Sequence, residues 1–545
     1  MVQRVFGPIP LIVGVTGHRD LPGDVLPLEA AVRHVLSELK LRHASSRIVL
    51  LSSLAEGADR LVARIALELQ ISLVVPLPLE QPDYESDFAT PESLAEFRSL
   101  LERADASFVV PPPLAKPSDR HDRGARSHAY ANCGAYIVRK SVELIALWDG
   151  VSEPRRGTAE VVSFQLDGIP EPYADAHSQV DLSFSGPVRH VFTPRGADVS
   201  SASWETPRTV TIYPQAIAGK EAARAFSKAT FDIDRFNADV AGGDGAAGVR
   251  DLAAAAANRY RARTARALGT IFVMVFLSVV GFNAYASVPS RPLWLLFAYL
   301  GCVAAAFATY YASLRGDWQN RYQDYRALAE VLRVSHYWRI AGIRDSAADR
   351  FVENHRADVD WLPFAIRSVT EPLDDRRAPA PDGGAGGLRH VYDDWLERQF
   401  RYFAEFAGRR DRYRSVLSTR IVTAALALSI VLTVAMRAFS AVQPAGDLDR
   451  VALLVATLLA LVAALVSSYA EKRGWTEHVR RYELMATLFG RARDRVGALL
   501  DRAQSDPAAA ERIRDTLREL GGEAIRESAA WLNLHRSRPI NVPTA

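Results

Sequence analysis

The stretch "LIVGVTGHRD", residues 11–20, decides the fold of the N-terminal part of the chain. Its apolar run predicts a buried strand, and Gly17 then lets the backbone turn tightly. Further apolar runs follow, separated by amphipathic stretches of helical length. This alternation is typical of a parallel sheet with crossover helices. We therefore predict an α/β Rossmann-like domain over residues 1–215.

The remaining elements of this domain follow from the same alternation. We predict strands at 10–16, 47–53, 73–77, 106–110 and 144–148, and helices at 27–41, 58–69, 91–103 and 129–141. Two later runs, "VRHVFT" and "RTVTIYP", would extend the sheet at its edge. In an open sheet of this kind, ligands bind at the carboxyl ends of the strands where the strand order reverses.

Three of the predicted strand ends carry glycines and polar residues, and together they form the candidate nucleotide-binding site. The first, in "VTGHRD", contributes Thr16, Gly17, His18 and Arg19. The second, in "SSLAEGADR", contributes Ser52, Ser53, Leu54, Ala55, Glu56, Gly57, Asp59 and Arg60. The third, in "WDGVSEPRRGTAE", contributes Asp149, Gly150, Arg155, Arg156, Gly157, Thr158 and Glu160.

The residue types at these turns suit a phosphate group. Glycines permit close approach of the backbone, and the free N–H groups at a helix start attract anions. Arginine side chains would add charged donors, with Arg155 and Arg156 either clamping a phosphate or lying in a solvated loop. Each turn alone is also consistent with ordinary helix capping.

Acid–base chemistry is the second possibility at the same turns. Glu56, Glu160 and His18 are the weak catalytic candidates, with Asp59 and Asp149 as further carboxylates. A histidine in a strand-end turn also serves as a structural hydrogen-bonding residue. No His/Cys cluster has the spacing of metal ligands, so we expect no metal and no required cofactor other than a nucleotide-like ligand.

Four apolar stretches are long enough to cross a bilayer, at about residues 267–288, 293–314, 421–442 and 451–470. Short connections group them into two hairpins. Arginines flank the outer ends of both hairpins and are sparse at the tips, which predicts cytoplasmic N- and C-termini in an inner-membrane, multi-pass protein. Four buried core helices are the alternative.

The membrane half repeats itself. "RGDWQNRYQDYRALAEVL" and "KRGWTEHVRRYELMATLF" align at a constant offset of 157 residues (475 − 318 for Trp475 and Trp318). We predict one unit over 216–369, a Pro/Gly linker over 370–388, and a second unit over 389–545. The aromatic stripe from Trp318 to Leu332 predicts a packed helix face, and a ligand site there is the less favoured interpretation.

Composition limits the functional classes. A chain of 545 residues exceeds one hydrophobic core, and a net charge of +3 argues against a nucleic-acid partner. The two cysteines, Cys133 and Cys302, are too far apart in sequence for a disulfide framework.

The motifs resemble two families. "GVTGHRD", "SSLAEGADRLVA" and "LIALWDG" with "RRGTAEVV" resemble the SLOG superfamily, which implies a Rossmann-like domain that binds, and sometimes cleaves, nucleotides or their derivatives. Ala55, Gly57, Ala58 and Asp59 stand where that family's second motif expects them. "DYRALAEVLRVSHYWRIAG" and "DDWLERQFRYFAEFAGRRDRYRSVLSTR" resemble SLATT domains, the SMODS and SLOG-associating two-transmembrane effectors of bacterial conflict systems.

The chain departs from the family's hydrolases at one motif. Their "PGGxGTxxE" loop would need glycines where Arg155 and Arg156 stand, and Glu160 follows Thr158 after only one residue. The resemblance therefore implies a membrane-bound, nucleotide-sensing effector of antiphage defence that disrupts the membrane or forms a pore. Its expected partners are membrane lipid, further copies of the chain and a nucleotide-synthesising enzyme. A membrane-anchored hydrolase of N-glycosidic or phosphate bonds is the alternative, and a transporter fits poorly because the spans are almost free of polar residues.

Overall fold

The structure is a computed structural model that describes residues 6–111, 123–151, 157–173, 186–195, 207–214, 220–242, 248–287, 290, 292–354, 360–370, 384–440 and 447–536. Its chain divides into two compact units. The first, called here the α/β unit, combines Met1–Leu252 with Ser346–Ala380, and the second, the helical unit, combines Ala253–Asp345 with Pro381–Ala545. The domain boundaries given above from the sequence stay predictions.

The α/β unit is built on a seven-stranded sheet. Its strands are β1 Leu11–Gly17, β2 Ile48–Leu51, β3 Ser72–Leu77, β4 Ala106–Val109, β5 Glu143–Trp148, β6 Val188–Phe192 and β7 Thr209–Ile212. Their order is β4-β3-β2-β1-β5-β6-β7, and all neighbouring pairs are parallel except β6 with β7. The predicted parallel-sheet α/β domain is confirmed. β7 extends the sheet at its edge, where it runs antiparallel.

The described helices of the whole chain are named in chain order. They are α1 Leu26–Arg42, α2 Ala58–Glu68, α3 Gln81–Glu85, α4 Pro91–Glu102, α5 Arg123–Lys140, α6 Thr158–Asp167, α7 Lys220–Val240, α8 Val249–Ser287, α9 Leu293–Arg315, α10 Trp318–Ile340, α11 Ala347–Asn354, α12 Trp361–Thr370, α13 Ala385–Val391, α14 Arg398–Arg401, α15 Gly408–Ser440, α16 Asp447–Arg473, α17 Trp475–Leu500 and α18 Pro507–Arg536. Two π-helical segments, Tyr392–Glu397 and Tyr402–Ala407, flank α14.

Both faces of the sheet are covered, because successive side chains of a strand point to opposite sides. In β1, Leu11, Val13 and Val15 pack into one apolar cluster with residues of α1, α2 and α4. Ile12 belongs to a second cluster that includes residues of α5 and α6. A sheet buried on both faces explains why its strands are almost continuously apolar in sequence.

Later segments of the chain complete the α/β unit. The Asn237 side chain in α7 accepts a hydrogen bond from the backbone N–H of Ile9 (3.0 Å) and donates one to the Ile9 carbonyl (2.8 Å). In α12, the ring of Trp361 lies 5.8 Å from that of Phe236. Helices α11 and α12 thus pack in the α/β unit although they follow the first apolar hairpin in sequence.

Among the residues that the structure describes, four helices are long and apolar enough to cross a membrane, within the stretches Val249–Ala286, Leu293–Arg315, Ala385–Ala438 and Val451–Leu500. Between 0% and 28% of their most apolar windows is buried within the chain. Core helices of a globular protein would be covered on most sides, so the alternative of four buried core helices does not fit this exposure. The four predicted spans lie in α8, α9, α15 and α16.

The two helices that follow the hairpins begin alike. Asp317, immediately before α10, and Gly474, immediately before α17, both adopt a left-handed backbone conformation, with φ of 50° and 63°. They are 157 residues apart (474 − 317), the same offset that aligns the two sequence stretches. A left-handed residue at the same aligned position therefore precedes the charged helix in both halves.

Candidate functional site

The strand order brings the three candidate turns together. Strand numbers rise in both directions from β1, so the order reverses between β1 and β5. β2, β1 and β5 are adjacent and parallel, and their carboxyl ends therefore lie at one edge of the sheet. In open α/β sheets this switch point is where ligands bind.

The three turns are in direct backbone contact. The His18 N–H donates to the Leu147 carbonyl in β5 (3.0 Å), and the Ala58 N–H at the start of α2 donates to the His18 carbonyl (3.0 Å). A Cβ atom on Gly17 would lie 2.3 Å from the Cβ of Ala58, and one on Gly57 would lie 2.3 Å from the Arg19 carbonyl oxygen. Both glycines are needed for this close approach.

His18 is a buried, hydrogen-bonded residue of this edge. Its Nε2 accepts a hydrogen bond from the Asp149 backbone N–H (3.1 Å), 131 residues further along the chain. Burial lowers the pKa of the His18 imidazole and outweighs the nearby Asp149 carboxylate, 3.4 Å away. The imidazole is therefore neutral near pH 7, with its proton on Nδ1. The hydrogen bond at Nε2 thus connects the first turn to the third.

Asp149 is held as a carboxylate. Burial raises the pKa of its carboxyl group, but the Val151 N–H (2.9 Å), the Arg195 guanidinium (3.1 Å) and the charge of that guanidinium outweigh burial and lower it overall. Gly150, between Asp149 and Val151, has a φ of 82°, a conformation that favours glycine. The carboxylate thus orders the start of the third turn.

The second turn closes on itself around Asp59. The Ser53 hydroxyl donates to the Asp59 carboxylate (2.8 Å), and the Ser52 hydroxyl donates to the Asp59 carbonyl (3.3 Å) and accepts from the Leu54 N–H (3.1 Å). Leu54 has a φ of 57°. Burial raises the pKa of Asp59 to about 6, against the hydrogen bonds from Ser53 and the Ala55 N–H.

Arg60 and Glu56 anchor this turn to α4. Arg60 Nε donates to the Leu54 carbonyl (3.0 Å), and Nη1 donates to the Ser93 carbonyl (2.8 Å). The guanidinium also stacks on Phe88, 4.4 Å from the ring centroid. Glu56 accepts a hydrogen bond from the Ser93 hydroxyl. Arg60 is only 2% exposed, so its position suits support of the loop better than contact with a ligand.

Arg19 has the opposite character. Its side chain is exposed, and its guanidinium lies 5.5 Å from the ring centroid of Tyr130. An exposed guanidinium that contacts an aromatic ring at the carboxyl ends of the strands can still bind an anion from solution. Thr16, at the end of β1, is partly exposed beside it.

The third turn ends at the start of α6. Gly157 has a φ of 80°, and a Cβ built there would meet no atom within 4 Å, so space lies open beside this helix start. Thr158 and Glu160 lie in the first turn of α6 and are partly exposed. Arg155 and Arg156 lie outside the described residues, and their clamping role stays a prediction.

Some contributors to this edge carry no motif. Arg195 follows β6 and binds Asp149, and Tyr130 in α5 lies under Arg19. Tyr84 in α3 is completely buried, and burial raises the pKa of its phenol. Arg195 could have been identified as a contributor from the sequence, because it is a polar residue just after the predicted strand "VRHVFT". Tyr84 gives no such signal.

The arrangement favours anion binding over acid–base catalysis. The edge presents the exposed Arg19 and the N-terminal ends of α2 and α6, whose peptide dipoles attract negative charge. The carboxylates of Asp59, Asp149 and Glu56 are each engaged by hydrogen-bond donors. Comparison with known proteins finds no match, whether among family models, curated proteins or solved structures. The likeness to SLOG and SLATT proteins therefore depends on the sequence motifs alone.

Proposed function

We propose that the α/β unit binds a nucleotide-derived phosphate at the carboxyl edge of β2, β1 and β5. The observation that carries this proposal is the meeting of three glycine-containing turns at the strand-order reversal, with Arg19 exposed at the same edge. The ligand's phosphate would lie near the starts of α2 and α6, paired with Arg19. Arg155 and Arg156 would add a second pair of guanidinium groups.

We propose further that ligand binding controls the four apolar helices, as in a membrane effector of bacterial defence. The ligand would have to bind the active arrangement more tightly than the resting one. The active arrangement would permeabilise or disrupt the membrane, and several copies of the chain would be needed to line a pore. A nucleotide-synthesising enzyme would supply the signal.

The connectivity supports flanking segments on one side of a membrane, which we propose is the cytoplasmic side of the inner membrane. Residues on both sides of the first hairpin, up to Leu252 and from Ser346, belong to the same compact unit. An even number of membrane crossings must therefore separate them. In the helical unit, Arg412 before the second hairpin pairs with Glu483 after it, so an even number of crossings must separate these two residues as well. The flanking arginines would place these segments in the cytoplasm.

Binding and leakage assays on the full chain in liposomes test the proposal. We expect one or more nucleotides to bind and to release an encapsulated dye. Arg19→Ala should weaken binding about tenfold or more, because a charge-assisted contact to phosphate is lost from an exposed, non-structural position. Gly57→Trp should abolish it by forcing apart the first two turns, because any side chain there presses on the Arg19 and His18 carbonyl oxygens, and circular dichroism checks that the variant is folded. Arg33→Ala, an exposed arginine on α1, is the matched control.

The outcomes separate sensing from its alternatives. Failure of every nucleotide to bind, or binding unchanged by both Arg19→Ala and Gly57→Trp, would reject the sensing role. Binding without leakage would reject the effector role. Hydrolysis products that disappear on Glu160→Gln would establish the hydrolase instead. Mass spectrometry of small molecules that co-purify with the chain would identify the ligand.

A further inference from the structure

A cavity lies in the helical unit, lined in part by the aromatic stripe of α10, where the sequence left a ligand site as the less favoured interpretation. Its volume is about 350 Å³, within the range of small-molecule sites. Helices α8, α10, α17 and α18 line it together with the region around α14. Aromatic rings from four of these elements line it, among them Tyr322, Trp395, Tyr482 and Trp531.

One wall of this cavity is π-helical. Trp395 belongs to the segment Tyr392–Glu397, and Tyr402 and Phe403 belong to the segment Tyr402–Ala407. A π-helical turn carries an extra residue and so shifts which side chains face a neighbour. Such turns are rare and occur frequently at functional sites. Two π-helical segments at one cavity indicate that the positions of its lining side chains serve a function.

Arg326 supplies the charge of this cavity. Its guanidinium lies 4.2 Å from the ring of Trp531, and its Nη1 donates to the Tyr322 hydroxyl (3.3 Å). The two carboxylates that line the cavity form their closest ion pairs with other arginines, Glu330 with Arg333 (2.7 Å) and Glu527 with Arg481 (3.5 Å), and both also interact at longer range with the charge of Arg326. Within the described parts of the chain, no carboxylate lies within 4.0 Å of the Arg326 guanidinium.

Trp531 adds an unused donor. It is 4% exposed and lines the cavity, and its indole N–H is buried with no hydrogen-bond partner among the residues that the structure describes. A buried donor without a partner loses free energy unless a ligand or water accepts from it. A guanidinium, an indole N–H and several aromatic faces together suit a flat ring that carries a negative charge.

We propose that this cavity binds an organic anion from solution, a planar aromatic body bearing one phosphate, sulfonate or carboxylate group. The anionic group pairs with Arg326 and accepts from the Trp531 N–H, while the ring lies among the aromatic side chains. This site is separate from the edge of the α/β unit and does not depend on the function proposed above. α10 follows the apolar helix α9 and α17 follows α16, so two of the elements that line the cavity continue from candidate membrane spans.

The test is equilibrium dialysis of 1-naphthyl phosphate against the full chain in phosphatidylcholine nanodiscs. We expect saturable binding of one molecule per chain. Arg326→Gln should weaken it about tenfold or more. Ala524→Trp, which fills the cavity and keeps the charge, should abolish it. Arg398→Gln, at an exposed arginine of α14, should leave it unchanged, and so should Arg19→Ala in the α/β unit.

Each contrary result has a defined meaning. Binding that survives both Arg326→Gln and Ala524→Trp overturns the site. Equal competition by inorganic phosphate overturns the aromatic part of the proposal. Phosphatidylglycerol added to the nanodiscs could lower the affinity for 1-naphthyl phosphate in the unmodified chain but not in Arg326→Gln. That result would assign the cavity to a lipid headgroup and overturn the proposal of a soluble ligand. Circular dichroism confirms that each variant is folded, and Arg326→Lys, which keeps the charge without the planar fork, should give an intermediate affinity if Arg326→Gln does not fold.

Discussion

Gly57 and Gly157 share an unusual backbone conformation, with φ of 79° and 80°, but differ in their surroundings. A Cβ on Gly57 would press on the carbonyl oxygens of Arg19 and His18, at 2.3 and 2.5 Å. A Cβ on Gly157 would meet nothing within 4 Å. Gly157 therefore needs glycine only for its backbone conformation, whereas Gly57 needs it both for its conformation and for close contact with the neighbouring turn.

Alanine at these two positions should have unequal effects. Gly157→Ala should lower the free energy of unfolding by roughly 1–3 kcal/mol, the cost of backbone strain alone. Gly57→Ala should lower it by about 1–3 kcal/mol more, because the added methyl group overpacks the junction of two turns. Calorimetric unfolding of the full chain in detergent measures both. Equal losses would contradict the crowding at Gly57.

Asp59 predicts a pH dependence. Its pKa is raised from 3.8 to about 6 in the folded chain, so the folded state holds this proton more tightly than the unfolded state does. The neutral carboxyl group therefore stabilises the fold at low pH, and this contribution is lost as the pH rises through about 6. Two units of pKa correspond to on the order of 3 kcal/mol.

Asp59→Asn should remove this component. The amide oxygen can still accept from Ser53 and from the Ala55 N–H, but it cannot ionise. The unfolding temperature of the variant relative to the unmodified chain should rise between about pH 4 and about pH 7. The control is Asp20→Asn, an exposed aspartate of the first turn, which should show no such trend. A constant difference for Asp59→Asn would contradict the raised pKa.

At the scale of elements, the second apolar hairpin packs through small residues. The Ser429 hydroxyl in α15 donates to the Ala456 carbonyl in α16 (2.8 Å). Ala425, Ala456 and Ala463 are at most 8% exposed, whereas Ile430 and Val431 are 63% and 62% exposed. Small side chains let helices approach closely where lipid removes the hydrophobic driving force.

Ala456→Leu should therefore separate α15 from α16. We expect a loss of roughly 1–3 kcal/mol, because the larger side chain cannot fit between the helices. Ile430→Leu, at a position of the same hairpin that is 63% exposed, should be neutral. Detergent-titrated unfolding, followed by circular dichroism, measures the stability of both variants. An unchanged midpoint for Ala456→Leu would contradict the close contact.

The positions of the strands could be predicted from the sequence, whereas the direction in which the last one pairs and the residues that they contact could not. Predicted strands 10–16 and 73–77 differ by one residue at the ends from β1 and β3, because uninterrupted apolar runs identify strands buried on both faces. The antiparallel direction of β7 carries no comparable signal. The role of His18 depends on an N–H that is 131 residues away, a distance over which spacing gives no information.

At the scale of the whole molecule, the chain leaves the α/β unit, forms the first hairpin and α10, and returns as α11 and α12. Trp361 is 1% exposed and packs against Phe236. Arg367 pairs with Asp349 (2.8 Å) and so ties α12 to α11. The α/β unit is therefore assembled from two separated pieces of sequence.

Trp361→Ala should destabilise the α/β unit by about 3–5 kcal/mol, the usual cost of removing a fully buried tryptophan. Hydrogen exchange should rise in α7 and α12, whereas α15 and α16 should keep their protection. Trp294→Ala is the control, because this tryptophan of α9 is 67% exposed. Unchanged exchange in α7 would contradict the packing of α12 in this unit.

The return of α11 and α12 sets an order of events during biosynthesis. When the ribosome has made the first 252 residues, the sheet strands are present but Trp361 has not yet been synthesised. The α/β unit gains its last helices only after the 93 residues from Ala253 to Asp345, including the first hairpin, have emerged (345 − 253 + 1). Completion of this unit thus waits for synthesis of the first hairpin and is independent of the second. A nascent chain arrested before Trp361 would expose an incomplete apolar surface for chaperones or proteases to recognise.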